Sequence, residues 1–203
     1  MIKFLKKFKK NNFFLDSFLK DQIKLGNTII GKWSYGKPAI YRWDDSKLKI
    51  GNFCSFGPEV KIYMGGNHRS DWITTSPLPV DKFSNFFTNA SDIKNFIKEK
   101  RDLEIGSDVW VGGHSIIFSG IKIGHGSVIG AGSVVRESLD PYSIVIGNPA
   151  RTIKKRFNDQ VIEKLLQFPW WELDDHKINL LAPVLLSDNF DLFFEKLELL
   201  KNN

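Results

Sequence analysis

From Ile105 the chain divides into blocks of six: IGSDVW, VGGHSI, IFSGIK, IGHGSV, IGAGSV and VRESLD. Each block opens with Ile or Val, and Gly106, Gly112, Gly124 and Gly130 stand second in four of them. Ile, Val and Leu make up 50 of the 203 residues. Six successive openings of this kind would therefore arise by chance about twice in ten thousand trials. An amphipathic helix repeats at 3.6 residues and a plain strand at 2, so neither explains a period of six. A short strand followed by a bend does. One aliphatic residue per block points inward, and small residues permit the turn. Three blocks make one triangular coil, and stacked coils make a parallel β-helix with a continuous aliphatic core. An outer polar face then accommodates Ser107, Asp108, Lys122, His125 and Ser127.

The same period appears earlier as IGNFCS and FGPEVK followed by Ile62, with a weaker block at Ile30-Gly31. The two regions are out of phase, because Ile50 and Ile105 are 55 positions apart. An insertion over about 63–103 must separate them. Within it, "SPLPVDKFSNFFTNA" is rich in Pro, Phe and Asn, and "SDIKNFIKEKR" has the serine start and spacing of a short helix. A long ordered excursion in a compact domain is usually functional. The chain thus reads as a basic, amphipathic helical segment over 1–26, a β-helix domain over 27–156 and a helical segment over 157–203.

Composition adds bounds. Hydrophobic residues make up 42% and charged residues 26%, the balance of an ordinary globular chain. One cysteine, Cys54, excludes an internal disulfide framework and suits a reducing, cytoplasmic compartment. With four histidines and that cysteine, little is left for a structural zinc site, and no metal is expected. The net charge is +6, with five lysines in the first ten residues and a second cluster at Arg151, Lys154, Lys155 and Arg156. Such an excess points to an anionic partner, yet no nucleic-acid motif is present. No apolar run reaches the roughly 20 residues that span a bilayer. The N-terminus lacks the uninterrupted apolar core of a secretory signal. Phe4, Leu5, Phe8, Leu15, Phe18 and Leu19 are loosely helical in spacing. Packing on the chain's own domain is favoured, with peripheral membrane contact as the alternative.

The segments "KLKIGNFCSFGPEVKIYMGGNHRSDW", "IGSDVWVGGHSIIFSGIKIGHGSVIGAGSVV", "PYSIVIGNPARTIKKRF" and "LLQFPWWELDD" resemble the xenobiotic acetyltransferases. That group of hexapeptide-repeat acyltransferases includes chloramphenicol and streptogramin acetyltransferases. The resemblance covers most of 27–175. It implies a mainly β fold, a left-handed parallel β-helix with a long extruded loop and flanking helices, assembled as a homotrimer. It also implies acetyl-CoA as co-substrate, bound in a groove between subunits.

The resemblance places the catalytic histidine at His68, within "NHR", beside Asn67. An imidazole near neutrality suits removal of a hydroxyl proton during acetyl transfer. Trp110 would border the cofactor groove near the reaction centre, or simply stack on the coil exterior. Gly130, Ala131 and Gly132 would face the pantetheine arm, with turn geometry alone as the alternative. Pro149 would end the strand before a helix begins. Arg151 and Lys154 would meet the CoA phosphates, while a solvated face would explain Lys155 and Arg156. Phe83, Phe86 and Phe87 of the insertion would stack on the acceptor or anchor the loop. His114 and His125 read as solvent-exposed coil residues, His176 as structural or surface, and Cys54 as a packed small residue.

The implied activity is acetyl-CoA-dependent O-acetylation of a hydroxyl on a sugar or a cell-surface polysaccharide precursor. An antibiotic hydroxyl and a nucleotide amino sugar are the alternative acceptors. A catalytically silent β-helix for assembly or membrane docking is the alternative of another class.

Overall fold

The computed structural model describes residues 27–80, 86–96 and 101–201. The segment 1–26 and Phe83 lie outside the described residues. Among the described residues, thirteen short strands form three sheets. The first sheet holds β1 (Thr28–Ile30), β3 (Leu48–Ile50), β6 (Leu103–Ile105) and β9 (Lys122–Ile123). The second holds β4 (Ser55–Phe56), β7 (Trp110–Val111), β10 (Val128–Ile129), β12 (Ser143–Ile146) and β13 (Arg151–Lys155). The third holds β2 (Ala39–Arg42), β5 (Lys61–Met64), β8 (Ile116–Phe118) and β11 (Val134–Val135). All pairings are parallel except β12 with β13. From β3 to β11 the chain visits the three sheets in unbroken rotation. Single parallel bridges, Tyr35 to Ser55 and Ile123 to Leu139, hold the same places in the first and last coils.

The core is what the period demands. Ile105, Val111, Ile117, Ile123, Ile129 and Val135 open the six blocks, and none is more than 2% exposed. Leu48, Ile50, Val60, Ile62, Met64 and Leu103 continue the same column. The second-position glycines do not serve a turn dihedral. A Cβ on Gly112 would lie 2.5 Å from the Ala131 backbone nitrogen, and one on Gly106 would lie 2.7 Å from that of His125. It is the stacking of coils that excludes a side chain there. The left-handed dihedral falls two places later, at Phe53, Glu59, Asp108, His114, Gly120, Gly126 and Gly132.

The expected polar exterior fails at two serines. Ser107 and Ser127 are buried. Ser107 Oγ accepts from the Asn52 amide, and Ser127 Oγ donates to the Gly124 and Asp140 carbonyls. A hydroxymethyl group is small enough to turn inward at a corner and bond the neighbouring coil's backbone.

Register restores the column across the excursion over 65–102: Leu48 pairs with Leu103 and Ile50 with Ile105. No helix starts at Ser91 within the described residues. A 3-10 turn occupies Thr88–Ala90, and Ser91 Oγ donates backward to the Thr88 carbonyl instead of capping forward.

The chain does not pass from Pro149 straight into a helix either. β13 first runs antiparallel to β12, and α1 (Asp159–Gln167) begins after the Asn158 cap. A 3-10 turn (Trp170–Glu172), α2 (Asp175–Leu185) and α3 (Phe190–Lys201) follow. Ile162, Leu165, Leu181, Val184, Phe193 and Leu197 form a second core that meets the coil at Tyr142. Among the described residues no helix is long and apolar enough to cross a membrane.

Gly112→Ala is expected to cost about 3 kcal/mol, the upper end of overpacking, because the obstacle is backbone. Gly132→Ala has φ +70° but nothing within 4 Å of the added carbon. It should cost only about 1 kcal/mol. Urea denaturation of the two variants tests the contrast.

Candidate active site

His68 leaves the coil directly after β5. Gly65 and Gly66 carry it out through consecutive left-handed conformations, at φ +74° and +75°. A Cβ on Gly66 would lie 2.9 Å from the Trp43 ring, and one on Gly65 would lie 2.2 Å from the Asp44 carboxylate. The exit therefore rests on the connection that follows β2.

Asn67 and His68 are exposed. His68 Nδ1 lies 2.8 Å from the Thr75 carbonyl oxygen. A carbonyl only accepts, so Nδ1 carries a proton, and in the neutral imidazole the lone pair is then on Nε2. The bond also fixes the ring's orientation, and that tautomer is the one a general base needs.

Beside this exit stands a rank of aromatic rings absent from the sequence reading. Tyr41, Trp43, Tyr63 and Phe118 stack on the outer face of the third sheet, with neighbouring centroids 5.0–6.2 Å apart. The Arg136 guanidinium covers Phe118 at 5.4 Å. Strand register aligns Tyr41 with Tyr63 and Tyr63 with Phe118. Offsets of 22 and 55 residues hide this rank from inspection along the chain. Superposing the coils in register would have exposed it. Trp43 is 55% exposed.

The remaining expected residues gather elsewhere. Trp110 is 57% exposed on the second sheet. Gly130, Ala131 and Gly132 form the corner between β10 and β11, and the Gly132 amide donates to the Gly113 carbonyl. Pro149 and Arg151 adjoin that corner, because the Ala150 amide donates to the Val134 carbonyl. Arg151 pairs with Glu137 at 3.2 Å, both exposed. Lys154 lies on β13, whose five residues are all exposed. His68 thus exits one coil below Trp110 and two below the Gly130–Gly132 corner, the latter roughly 10 Å along the axis at about 4.8 Å per coil. Phe86 and Phe87 are exposed, Phe86 to 82%.

Residues 102–137 match the bacterial transferase hexapeptide family (six repeats). A chloramphenicol acetyltransferase from Klebsiella aerogenes is 38% identical over 192 residues, 87% of this chain and 90% of its own. A virginiamycin A acetyltransferase from Staphylococcus aureus is 37% identical over 195 residues, 90% of this chain and 88% of its own. The chain belongs to the xenobiotic acetyltransferases, within the hexapeptide-repeat transferases. The solved structure of a hexapeptide-repeat-containing acetyltransferase from Vibrio cholerae superposes with a TM-score of 0.50 at 24% identity. That match covers 65% of this chain and 64% of the other, and it shares the fold.

Several other groups of the acetyltransferase have structural work. Burial pushes the Cys54 thiol up to about 12, and Sγ donates to the Gly106 carbonyl at 3.0 Å. Such a thiol is no nucleophile at neutral pH. Among the described residues no His, Cys, Asp and Glu side chains group to hold a metal. Arg156 is not a solvated cation. Its Nη1 bonds Asp108 and the Gly126 carbonyl, and its guanidinium lies over Tyr142 and Phe157. Asp108, Gly126 and Tyr142 come from earlier coils, so those partners were out of sight in the residue's own segment. A cavity of about 470 Å³ between that corner and the helices is lined by Phe53, Arg156, Trp170 and Phe193. His68 is not on it.

His125 is half-buried, not solvent-exposed as expected. It stacks on the buried Trp171 at 4.8 Å, and its Nδ1 accepts from the Ser107 amide at 2.8 Å. Desolvation lowers its pKa, opposed by Glu172 and then Glu104. A histidine whose folded pKa is depressed contributes full stability above its ordinary value near 6.5, and loses it as pH falls through the folded value. The melting temperature should therefore drop below pH 6.5, and His125→Asn, whose amide oxygen can take the Ser107 bond, should flatten that part of the drop. Thermal melts from pH 5 to 8 check this.

Proposed function

We propose that the chain is an acetyl-CoA-dependent O-acetyltransferase with His68 as its general base, acting on a carbohydrate hydroxyl. The observation that carries the reading is the Nδ1 bond to Thr75, which leaves Nε2 free. As the acceptor oxygen attacks the thioester carbonyl carbon, Nε2 takes the hydroxyl proton. The Thr75 carbonyl, already bonded to Nδ1–H, stabilises the imidazolium. Collapse of the tetrahedral intermediate breaks the C–S bond. The departing thiolate takes the proton back from Nε2, and the products are an acetyl ester and CoA.

Family membership supports acetyl-CoA as the acyl donor, a left-handed coil and a homotrimer with the donor lying along the coils. The residues present suit such a donor. Trp110 is exposed, nothing lies within 4 Å of where a Cβ on Gly132 would stand, and Arg151 and Lys154 are exposed cations for phosphate. Use of acetyl-CoA supports a cytoplasmic location. For the acceptor, the exposed rings of Tyr41 and Trp43 beside the exit of His68 support a sugar: the C–H face of a pyranose stacks on such a ring while its hydroxyls stay in water. A second acceptor reading is an antibiotic hydroxyl. It is favoured by relatives named for chloramphenicol and virginiamycin A that match nearly the whole chain.

CoA-thiol release from acetyl-CoA is the test, against glycans, nucleotide sugars, chloramphenicol and a streptogramin. A sugar is expected to be the better acceptor, and preference for an antibiotic would transfer the assignment. His68→Ala should lower kcat by about 10²–10⁴, the loss of a general base. Unchanged activity would remove His68 from the mechanism. Trp43→Ala should raise the acceptor KM about 2- to 10-fold, the worth of one aromatic contact, and leave the acetyl-CoA KM unaltered.

A further inference from the structure

The Thr75 carbonyl that orients His68 belongs to a loop with little burial to hold it. Residues 71–76 are all exposed, and Ile73 projects fully into solvent. An exposed segment of this kind samples many backbone conformations unless local bonds restrict it. Only some of those conformations place the Thr75 carbonyl against Nδ1. The restraint is polar and sits next to the base. Arg69 Nε donates to Asp71 Oδ1 at 2.8 Å and Nη2 to Oδ2 at 2.6 Å. The same guanidinium lies 5.1 Å from the Trp72 ring centroid. A planar fork engaging both carboxylate oxygens two residues away closes the turn in one geometry, and a lysine ammonium cannot reproduce it. Ser76 adds a bond from its amide to Thr74 Oγ1 at 3.1 Å.

We propose that the Arg69–Asp71 pair, backed by Trp72, is the positioning device of the active site: it holds residues 69–75 in the one conformation that orients the His68 imidazole. Arg69 is a positioning residue and acts through His68, so the proposal rests on His68 being the base. Exposed ion pairs add little to global stability, so this one should be visible in turnover and not in melting.

The experiment is a double-mutant cycle on the full chain with acetyl-CoA and the best acceptor. Arg69→Ala and Asp71→Ala should each lower kcat about 10- to 100-fold, the scale of a misplaced catalytic group. The acetyl-CoA KM should stay within about twofold and the melting temperature within about 2 °C. Arg69→Lys should not restore turnover, and the Arg69→Ala/Asp71→Ala double variant should be no worse than either single. In a His68→Ala background, Arg69→Ala should cost nothing further. The proposal is overturned if Arg69→Ala leaves kcat unchanged, raises the acetyl-CoA KM instead, lowers the melting temperature in parallel, or costs the same factor without His68. Full activity of His68→Ala alone would refute the base assignment, whatever the effect of Arg69.

Discussion

The fold depends on how closely successive coils approach one another. Parallel strands repeat at the spacing of one backbone hydrogen bond, so each coil lies about 4.8 Å above the last. At the corners this leaves no room for a Cβ at Gly106 or Gly112. Inside, it places Ile105, Val111, Ile117, Ile123, Ile129 and Val135 in one dry column. The six-residue period is the imprint of that spacing on the sequence. Every other feature is arranged on the prism it produces.

A prism of this kind has flat outer faces and no natural cleft, so chemistry must be brought by segments that leave it. The exit at Gly65-Gly66 carries the His68 imidazole off the prism. Two left-handed glycines, seated on Trp43 and Asp44, turn the chain outward, and the Thr75 carbonyl bends back to meet the imidazole. The aromatic rank is carried by the sheet beside this exit, while His68 is carried by a loop. The aromatic rank and the orientation of the imidazole thus differ in support: strand register for one, local polar bonds and the Trp43 and Asp44 seats for the other.

The C-terminal unit solves another problem. Its helices bury their own apolar faces around Leu181 and Phe193, and they seat on the coil corner through Trp171, Tyr142 and Arg156. Lys32 Nζ bonds the Leu173 carbonyl and Asp175, which ties the first coil to the same unit. The corner that receives these groups is the column of Asn52, Ser107 and His125. Polar side chains there do structural work that an exposed coil would not require of them.

The sequence by itself determined the coil. A period of six, an aliphatic opener and a second-place glycine specify short stacked strands, because core burial and backbone clearance act locally and recur at every turn. His68 was picked out only through the family resemblance of the segment around "NHR". Tertiary structure decided what depends on distant segments meeting. Tyr41, Tyr63 and Phe118 form one surface only because parallel register aligns residues 22 and 55 positions apart. His125 ceased to be a surface group because Trp171, from beyond the coils, stacks on it, and Arg156 because Asp108, Gly126 and Tyr142 of earlier coils engage its guanidinium. Ser107 and Ser127 turned inward because a neighbouring coil offered them partners. Local physics leaves a repeating mark along a chain; contacts between segments far apart leave none until the chain has folded.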